Sequence, residues 1–323
     1  MSYRVVFTDP HQHEFNDAVL ALMRDAGVEL ECRLCQSEQE IIDFCRDANA
    51  VMTSASQISA PVIESMEKCQ VIARLGIGYD NVDHVAAASK GIPVTNVPGF
   101  CTEEVANHTI ALLLACARKI PQLDGEIRQG TWQQEHALPA RRLSTQCLGL
   151  VGFGSIGQAV ATRALTLGMR VIFFDPYASP ESLASDVQRF ETLEDLLGEA
   201  DFVSLHLPLT SETERCFGRS AFAAMKSGAI LLNTSRGGVV EESALIEALE
   251  SGKISAAGLD VLEQEPPEAS NPLLNMTNVV MTPHCAAHTS DAMDELRLRA
   301  AEEVVRALRK EPLKHVVNGV TFP

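Results

Sequence analysis

The sequence is poor in basic side chains. It has 26 lysines and arginines against 43 aspartates and glutamates, which gives a formal net charge of −17 at pH 7. Because this charge repels phosphate groups, nucleic acid is excluded as a general partner. An acidic chain that binds a small anion must build a local positive site, so arginines beside glycine-rich turns become candidate ligand-binding residues.

Long apolar runs are also missing. No stretch of about 18 residues is free of polar side chains, so we expect no transmembrane helix and no membrane contact. The nearest stretch, 105–117, contains Asn107 and His108. The first ten residues, MSYRVVFTDP, have neither a basic segment nor a long apolar core, and they predict a strand and a turn rather than a signal peptide.

The nine cysteines are scattered, odd in number and not preceded by an export signal. This pattern indicates reduced thiols and a cytoplasmic location. Cys32 and Cys35 have the C-x-x-C spacing of metal ligands, but no second pair lies near them in sequence. Since one pair cannot fill a four-ligand zinc site, we interpret these cysteines as packing residues and predict no metal.

Strand-like and helix-like segments alternate along the 323 residues, which predicts an α/β protein of two domains. We expect two Rossmann-like domains, one of them (101–287) inserted into a discontinuous, flavodoxin-like domain made of 1–100 and 288–323. The predicted strands are 3–8, 51–53, 71–74, 92–95, 148–151, 171–175, 202–206, 230–233, 257–260 and 279–282. The predicted helices are 14–26, 82–89, 102–119, 156–167 and 291–308.

The segment 120–147 has little periodicity and contains Gly130, Pro139 and the only tryptophan, Trp132. It is predicted to be an arm rather than a core element. Because aromatic anchors are enriched at interfaces, Trp132 favours a homodimer formed through this arm. The alternative is that Trp132 packs within its own chain.

A glycine motif, GFGSIG at 152–157, follows one predicted strand and begins a predicted helix. Gly152 suits the tight turn, Gly154 the approach of a pyrophosphate, and Gly157 the contact between helix and strand. The helix N-terminus, which begins with Ser155 and Ile156, offers free N–H groups to phosphates. Taken alone, the motif is equally compatible with a strand–helix turn that binds no ligand.

Asp175 ends the next predicted strand, 21 residues after Gly154. A carboxylate at this position accepts hydrogen bonds from ribose hydroxyls and repels a 2′-phosphate. Residues 176–178 contain no basic side chain, so NAD is favoured over NADP as the cofactor. The alternative interpretation is a turn residue before a proline.

Three polar residues follow predicted strands toward the C-terminus. Arg236 offers a planar fork that can hold a carboxylate and polarise the adjacent carbonyl. His284 suits a proton donor to a developing alkoxide, and Glu265 suits a partner that stabilises the protonated imidazole. Together they fit the reduction of a 2-keto acid by a nicotinamide. Taken singly, His284 is better explained as a strand-end histidine bonded to the backbone, and Glu265 as a solvated loop carboxylate. The alternative for Arg236 is a surface arginine.

These segments resemble the D-isomer-specific 2-hydroxyacid dehydrogenase family, which includes phosphoglycerate dehydrogenase, glyoxylate/hydroxypyruvate reductase and the C-terminal-binding proteins. The resemblance covers almost the whole chain. The matching stretches are 74–83 (RLGIGYDNVD), 96–98, 104–106, 152–157, 201–210 (DFVSLHLPLT), 233–238, 263–267 and 282–284.

The resemblance implies an NAD-dependent dehydrogenase that moves a hydride between nicotinamide and C2 of a small 2-keto or D-2-hydroxy acid such as glyoxylate, hydroxypyruvate or 3-phosphoglycerate. It implies that Arg236, Glu265 and His284 are catalytic, and that the discontinuous domain (1–100 and 288–323) binds the anionic substrate. The substrate-binding residues it implies are Arg74, Gly76, Ile77 and Gly78. The cofactor-binding residues it implies are Gly152, Gly154, Ser155, Ile156, Gly157, Asp175, Thr213, Thr234 and Asp260, the last at the nicotinamide amide.

Two departures from the family pattern concern single residues. Asn107 stands where members often carry an acid, and Ala287 stands where some C-terminal-binding proteins carry a tryptophan. Two other functions remain as alternatives, an NAD(H)-sensing binding protein and a phosphite dehydrogenase. Glu265 argues against a formate dehydrogenase, since those members of the superfamily carry an amide there.

Overall fold

The computed structural model of the protein describes residues 2–10, 15–178 and 186–321. The chain divides into two compact units. Unit 1 comprises Met1–Phe100 and Thr289–Pro323, and unit 2 comprises Cys101–His288. Each unit contains one parallel sheet with helices between its strands, which confirms the predicted fold class.

The sheet of unit 1 has five parallel strands. They are β1 (Tyr3–Phe7), β2 (Val28–Cys32), β3 (Ala50–Thr53), β4 (Ile72–Arg74) and β5 (Val94–Thr95). The helices between them are α1 (Asp17–Asp25), α2 (Glu38–Cys45), α3 (Ala60–Ser65) and α4 (His84–Ser89). The strand order β2-β1-β3-β4-β5 is that of flavodoxin-like sheets, and it places the loops after β1, β3 and β4 side by side.

The sheet of unit 2 has seven parallel strands. They are β6 (Cys147–Val151), β7 (Arg170–Phe174), β8 (Val187–Arg189), β9 (Phe202–Leu205), β10 (Ala229–Asn233), β11 (Ile254–Leu259) and β12 (Val279–Met281). The helices are α5 (Thr102–Arg118), α6 (Ile120–Arg128), α7 (Ser155–Thr166), α8 (Leu193–Glu199), α9 (Arg219–Ala224) and α10 (Glu242–Glu250). The strand order is β12-β11-β10-β9-β6-β7-β8. The chain fills the sheet to one side of β6 first and then to the other side from β9, and doubly wound sheets bind their ligands at such a switch point.

The last helix, α11 (Ser290–Arg309), belongs to unit 1, where it packs against α1, β3 and β4. The residues after α11 run beside β5. The Val94 N–H donates to Asn318 Oδ1 at 3.1 Å, and Asn318 Nδ2 donates to the Ile92 carbonyl at 2.9 Å. Both ends of unit 1 in sequence therefore contribute to one core.

Several elements of the structure, among them β2, α2 and α3, were not predicted, and α6 and β8 show the reasons. The segment 120–147 was expected to be irregular, but its first third forms α6, because Pro121 is tolerated in a first turn. Gly125 and the absence of any buried residue in α6 explain why no apolar period is visible there. Strand β8 is missing from the prediction, since three residues carry too little alternation to be recognised. Among the described residues, no helix is long and apolar enough to cross a bilayer.

Helix α7 packs closely on the turn that follows β6. A Cβ atom on Gly157, a buried residue of α7, would lie 2.5 Å from the carbonyl oxygen of Gly152, so only glycine permits this contact. Gly198 in α8 has no atom within 4 Å of the equivalent Cβ position. The two glycines therefore differ in what an added methyl group would meet.

We predict opposite effects of the same substitution at these two positions. Gly157→Ala is expected to lower the free energy of unfolding by about 1–3 kcal/mol, because α7 must move away from the turn. Gly198→Ala is expected to raise it by roughly 0.5 kcal/mol, because alanine restricts the unfolded chain. Urea denaturation followed by far-ultraviolet circular dichroism measures both, and equal effects would contradict the close contact at Gly157.

Candidate active site

Three neighbouring strands of unit 2 end beside one another. Arg236 follows β10, Glu265 follows β11 and His284 follows β12. Because these strands are parallel and adjacent in the sheet, the loops that carry the three side chains meet at its carboxyl edge. The sequence placed Arg236 and His284 at strand ends, and the structure brings Glu265 to them.

Glu265 and His284 are joined by a hydrogen bond. Nδ1 of His284 lies 2.7 Å from Oε2 of Glu265, and the other carboxylate oxygen accepts the Leu262 N–H at 2.9 Å. Burial raises the pKa of Glu265. The hydrogen bond and charge of His284, with smaller contributions from the Leu262 N–H and the Arg236 charge, lower it by a larger amount. The net pKa of Glu265 is lowered, so this carboxylate stays ionised at neutral pH.

The loop of Arg236 lies directly against the loop of Glu265. A Cβ on Gly237 would lie 1.9 Å from the Leu262 carbonyl oxygen, so glycine is required for the two loops to approach. Arg236 Nη1 donates to the Ser235 carbonyl at 2.9 Å, and Ser235 is bonded in turn to Asn233. The guanidinium therefore sits on a short, fixed turn next to the ionised carboxylate.

Asp260, which is 2 % exposed, fixes the loop that carries His284. One oxygen of this carboxylate accepts the Thr282 hydroxyl at 2.5 Å and the Cys285 N–H at 2.9 Å, and the other accepts the Ala286 N–H at 2.8 Å. The His284 N–H donates to the Asp260 carbonyl at 2.7 Å. These bonds hold His284 at a φ of 51°, a left-handed conformation that is costly for a residue other than glycine.

Thr282 links this network to helix α5. Its hydroxyl group lies 2.8 Å from Nε2 of His108 and has only one proton, which it donates to Asp260. The hydroxyl must therefore accept from His108, which places a proton on Nε2 of that ring. Ligating atoms of His108, Asp260 and Cys285 lie within 4.8 Å of one another, but the Thr282 hydroxyl contacts all three residues and satisfies them without an ion. No local sequence pattern predicts this contact across 174 residues.

The glycine loop after β6 has the form expected of a phosphate-binding turn. Gly152 has a φ of 92°, and a Cβ on Gly154 would meet no atom within 4 Å, so the backbone is open there. Ser155 and Ile156 form the first turn of α7, and no side chain caps its N-terminus. The N–H groups of this turn are thus available to an anion.

The other candidate cofactor residues of unit 2 lie at strand ends or in adjoining turns. Asp175 follows β7, and its oxygens accept the Phe153 and Tyr177 N–H groups, each at 2.8 Å. A carboxylate has further lone pairs for ribose hydroxyls. Thr234 follows β10 and lies 2.9 Å from the Thr109 hydroxyl, whereas Thr213 is part of a turn and donates to the Pro208 carbonyl at 2.6 Å.

His206, for which no sequence pattern predicted a role, follows β9 at the point where the strand order reverses. Its Nε2 lies 2.9 Å from the Ser204 hydroxyl, and burial lowers the pKa of His206 to about 4. The ring is therefore neutral at pH 7. The unusual Asn107 accepts a hydrogen bond from Arg163 of α7 at 2.7 Å, which gives the amide a structural role.

The candidate substrate residues lie after β4 in unit 1. The guanidinium of Arg74 folds across Gly76, where a Cβ would lie 1.3 Å from Nη1, so no larger residue fits beneath it. The Val97 N–H donates to the Gly76 carbonyl at 2.9 Å, and Asn96 Nδ2 donates to the Ile77 carbonyl at 2.7 Å. The carbonyls of this turn are thereby held in place.

Comparison with known proteins agrees with this geometry. The family model for the D-isomer specific 2-hydroxyacid dehydrogenase, NAD binding domain, matches residues 110–286. A hydroxypyruvate reductase from Thermotoga maritima is 40 % identical over 95 % of this chain and 98 % of its own length. A D-3-phosphoglycerate dehydrogenase from Methanocaldococcus jannaschii is 40 % identical over 99 % of this chain, which spans only 60 % of that relative.

A solved structure shows the same fold with ligands bound. It is an NADPH-dependent glyoxylate/hydroxypyruvate reductase from Sinorhizobium meliloti in complex with NADP and malonate, with a TM-score of 0.87, 28 % identity, and coverage of 100 % of this chain and 98 % of that one. Unit 2 contains the NAD-binding domain of its family. The chain belongs to the D-isomer specific 2-hydroxyacid dehydrogenases.

Proposed function

We propose that the protein is an NAD-dependent dehydrogenase that transfers a hydride between nicotinamide and C2 of a small 2-keto or D-2-hydroxy acid. The hydrogen bond between Glu265 and His284, beside Arg236 at the carboxyl edge of the sheet, carries this proposal. An imidazole that gives or takes a proton, an ionised partner and a guanidinium are the groups that carbonyl reduction requires.

The hydrogen-bond pattern assigns a role to each catalytic residue. Because Nδ1 of His284 faces Glu265, Nε2 is the nitrogen that gives its proton to the substrate oxygen during reduction. Glu265 stabilises the imidazolium form, and Arg236 binds the substrate carboxylate and polarises the carbonyl. Bound NADH supplies the hydride.

Backbone N–H groups provide the remaining contacts in the proposal. Those of the turn that contains Gly76, Ile77 and Gly78, with Arg74, bind the substrate carboxylate. Those of the glycine loop bind the cofactor pyrophosphate. The remaining cofactor contacts are proposed for Asp175 at the ribose, Asp260 at the nicotinamide amide, and Thr213 and Thr234.

An NAD(H)-sensing binding protein and a phosphite dehydrogenase are the other candidates. A binding protein has no need of a positioned proton donor, whereas here Asp260 and Glu265 fix the backbone and the ring of His284. The named relatives are dehydrogenases and reductases of hydroxy and keto acids. The first function is therefore the better supported one.

The test of the proposed function is NADH oxidation with a panel of glyoxylate, hydroxypyruvate, pyruvate and phosphite, the last assayed in the oxidative direction with NAD. We expect turnover of at least one 2-keto acid. His284→Ala should lower kcat by about 10²–10⁴, which is the usual contribution of a positioned general acid. Binding of NADH without turnover of any panel member would instead favour the binding protein.

A second prediction concerns the cofactor. Because the Asp175 carboxylate lies at the end of β7 without an adjacent cation, it should repel a 2′-phosphate, so NADH is expected to give a higher kcat/KM than NADPH. Asp175→Ala should narrow this ratio by removing the repulsion. Equal wild-type kcat/KM values for the two cofactors would refute the assignment.

A third prediction concerns pH. Glu265, whose pKa is lowered, is ionised at neutral pH and stabilises the protonated form of His284 that reduction consumes. In Glu265→Gln the ionised partner of His284 is lost, so keto-acid reduction should fall off at lower pH than in wild type. The basic limb of the kcat profile for keto-acid reduction should move down by about one pH unit or more. A limb that stays in place would show that Glu265 has no such effect.

We also propose that the enzyme is a cytoplasmic homodimer. All nine cysteines are free thiols, as is usual in a reducing compartment. Four of the nine large apolar side chains exposed on the described surface lie in the arm 120–147, namely Ile120, Ile127, Trp132 and Leu138. Trp132 is 77 % exposed, so it does not pack within its own chain, and a second copy of the arm would cover it.

The fourth prediction tests this interface. Light scattering at micromolar concentration should give the mass of two chains, and Trp132→Asp should shift the protein toward one chain because it places a charge in an apolar contact. Tyr177→Asp, at a position that is 83 % exposed outside the arm, is the matched control and should leave the mass unchanged. A wild-type mass of one chain would contradict the homodimer.

A further inference from the structure

Two loops of unit 1 lie side by side and differ in whether their N–H groups are occupied. Thr53, the last residue of β3, is paired with Arg74, the last residue of β4, so the loops that follow start next to each other. Asn81 Nδ2 joins them by donating to the carbonyls of Ser54 at 3.3 Å and Ser56 at 2.9 Å. Both loops therefore border the same edge of the sheet.

The loop after β4 has N–H groups left for a ligand. Its Gly76 and Ile77 carbonyls are bound by Val97 and Asn96, as described above. No backbone hydrogen bond among the described residues uses the N–H groups of Ile77 and Gly78. Two adjacent N–H groups of this kind, with the Arg74 guanidinium in the same turn, suit one carboxylate.

The loop after β3 is already occupied by an anion of the chain itself. The carboxylate of Asp9, which is 7 % exposed, accepts the Ser54 N–H at 2.9 Å and the Ser56 N–H at 2.7 Å, and it also accepts the Ala55 N–H. Three consecutive N–H groups form a nest that would otherwise hold a phosphate or carboxylate. Asp9 fills this nest and adds a negative charge to it.

The cation that reaches these loops from α11 is already paired. Arg299 Nη2 donates to the Pro98 carbonyl at 2.8 Å in the loop after β5, and Arg299 Nη1 forms an ion pair with Glu295 at 2.9 Å. In the described parts of the loops after β1, β3, β4 and β5 there is no lysine or arginine, and Arg74 at the end of β4 is the cation nearest to them in sequence. Arg33, after β2, lies over the ring of Phe44 at 4.6 Å from its centroid. A second anionic group on a substrate would thus meet Asp9 without a partner of opposite charge.

We propose that unit 1 accepts 2-keto acids with a single anionic group and a small uncharged substituent, and that it rejects substrates that carry a phosphate ester or a second carboxylate. This inference rests on the proposed function. It favours substrates of the hydroxypyruvate and glyoxylate class over phosphorylated ones, a distinction that the two curated relatives described above leave open.

The experiment compares hydroxypyruvate with 3-phosphohydroxypyruvate, which differ only by the phosphate, in NADH oxidation by the full chain. We expect kcat/KM to favour hydroxypyruvate by about 100-fold or more, since a charged group without a partner is strongly disfavoured. A kcat/KM for the phosphorylated acid that equals or exceeds that for hydroxypyruvate would overturn the inference but leave the proposed function intact. Turnover of no 2-keto acid at all would overturn both.

A charge-addition pair tests the cause. Ser54→Arg keeps the backbone N–H that binds Asp9 and adds a cation beside the Arg74 turn, so it should raise kcat/KM for 3-phosphohydroxypyruvate by about 10-fold or more. Ser89→Arg adds the same charge at an exposed position of α4 and is the control for the net charge of the chain. An equal gain in both variants, or no gain in folded Ser54→Arg, would refute the local explanation. If circular dichroism shows that Ser54→Arg is unfolded, Ala55→Arg at the exposed neighbouring position takes its place.

Discussion

The buried carboxylate of Asp260 is the constraint on which the candidate active site depends. A nearly unexposed charge is tolerated only where hydrogen bonds replace water, and here they come from Thr282, Cys285 and Ala286. These donors turn the loop after β12 back toward β11 and hold His284 in a left-handed conformation. The ring can then reach Glu265, so the proposed proton donor is positioned by a group that need not touch the reacting atoms.

The sequence predicted the fold and the three catalytic candidates because the signals are local. A strand, a glycine turn and a helix lie within a few residues of one another at 148–167. Arg236 and His284 each follow an apolar strand, and parallel strands place such residues at one edge of the sheet. The prediction was wrong where a short segment lacks a pattern, as in the three residues of β8, or where glycine and proline hide a helix, as in α6.

The remaining contacts join residues that are far apart in sequence, and no local pattern predicts them. His108 meets Thr282 across 174 residues, and Asp9 meets Ser54 across 45. Each contact depends on which backbone N–H or hydroxyl group is left unpaired after the strands and helices have formed. Which groups are left unpaired depends on all the hydrogen bonds of a loop, and these are set by the three-dimensional fold. From the sequence, Asp9 was therefore interpreted only as a turn residue before a proline.

Unpaired backbone N–H groups also explain how a chain with a net charge of −17 can bind anions. Oriented N–H groups carry only partial positive charges, and they are fixed by the fold, so they need no surplus of lysine and arginine. The uncapped first turn of α7 and the open turn at Ile77 and Gly78 have this form. The number of unoccupied N–H groups decides how many anionic groups of a substrate can be bound. Each N–H can be satisfied by the chain or by a ligand, but not fully by both. The nest filled by Asp9 therefore cannot bind a ligand. The choice among anionic substrates depends as much on the N–H groups that bind other parts of the chain as on those that remain unoccupied.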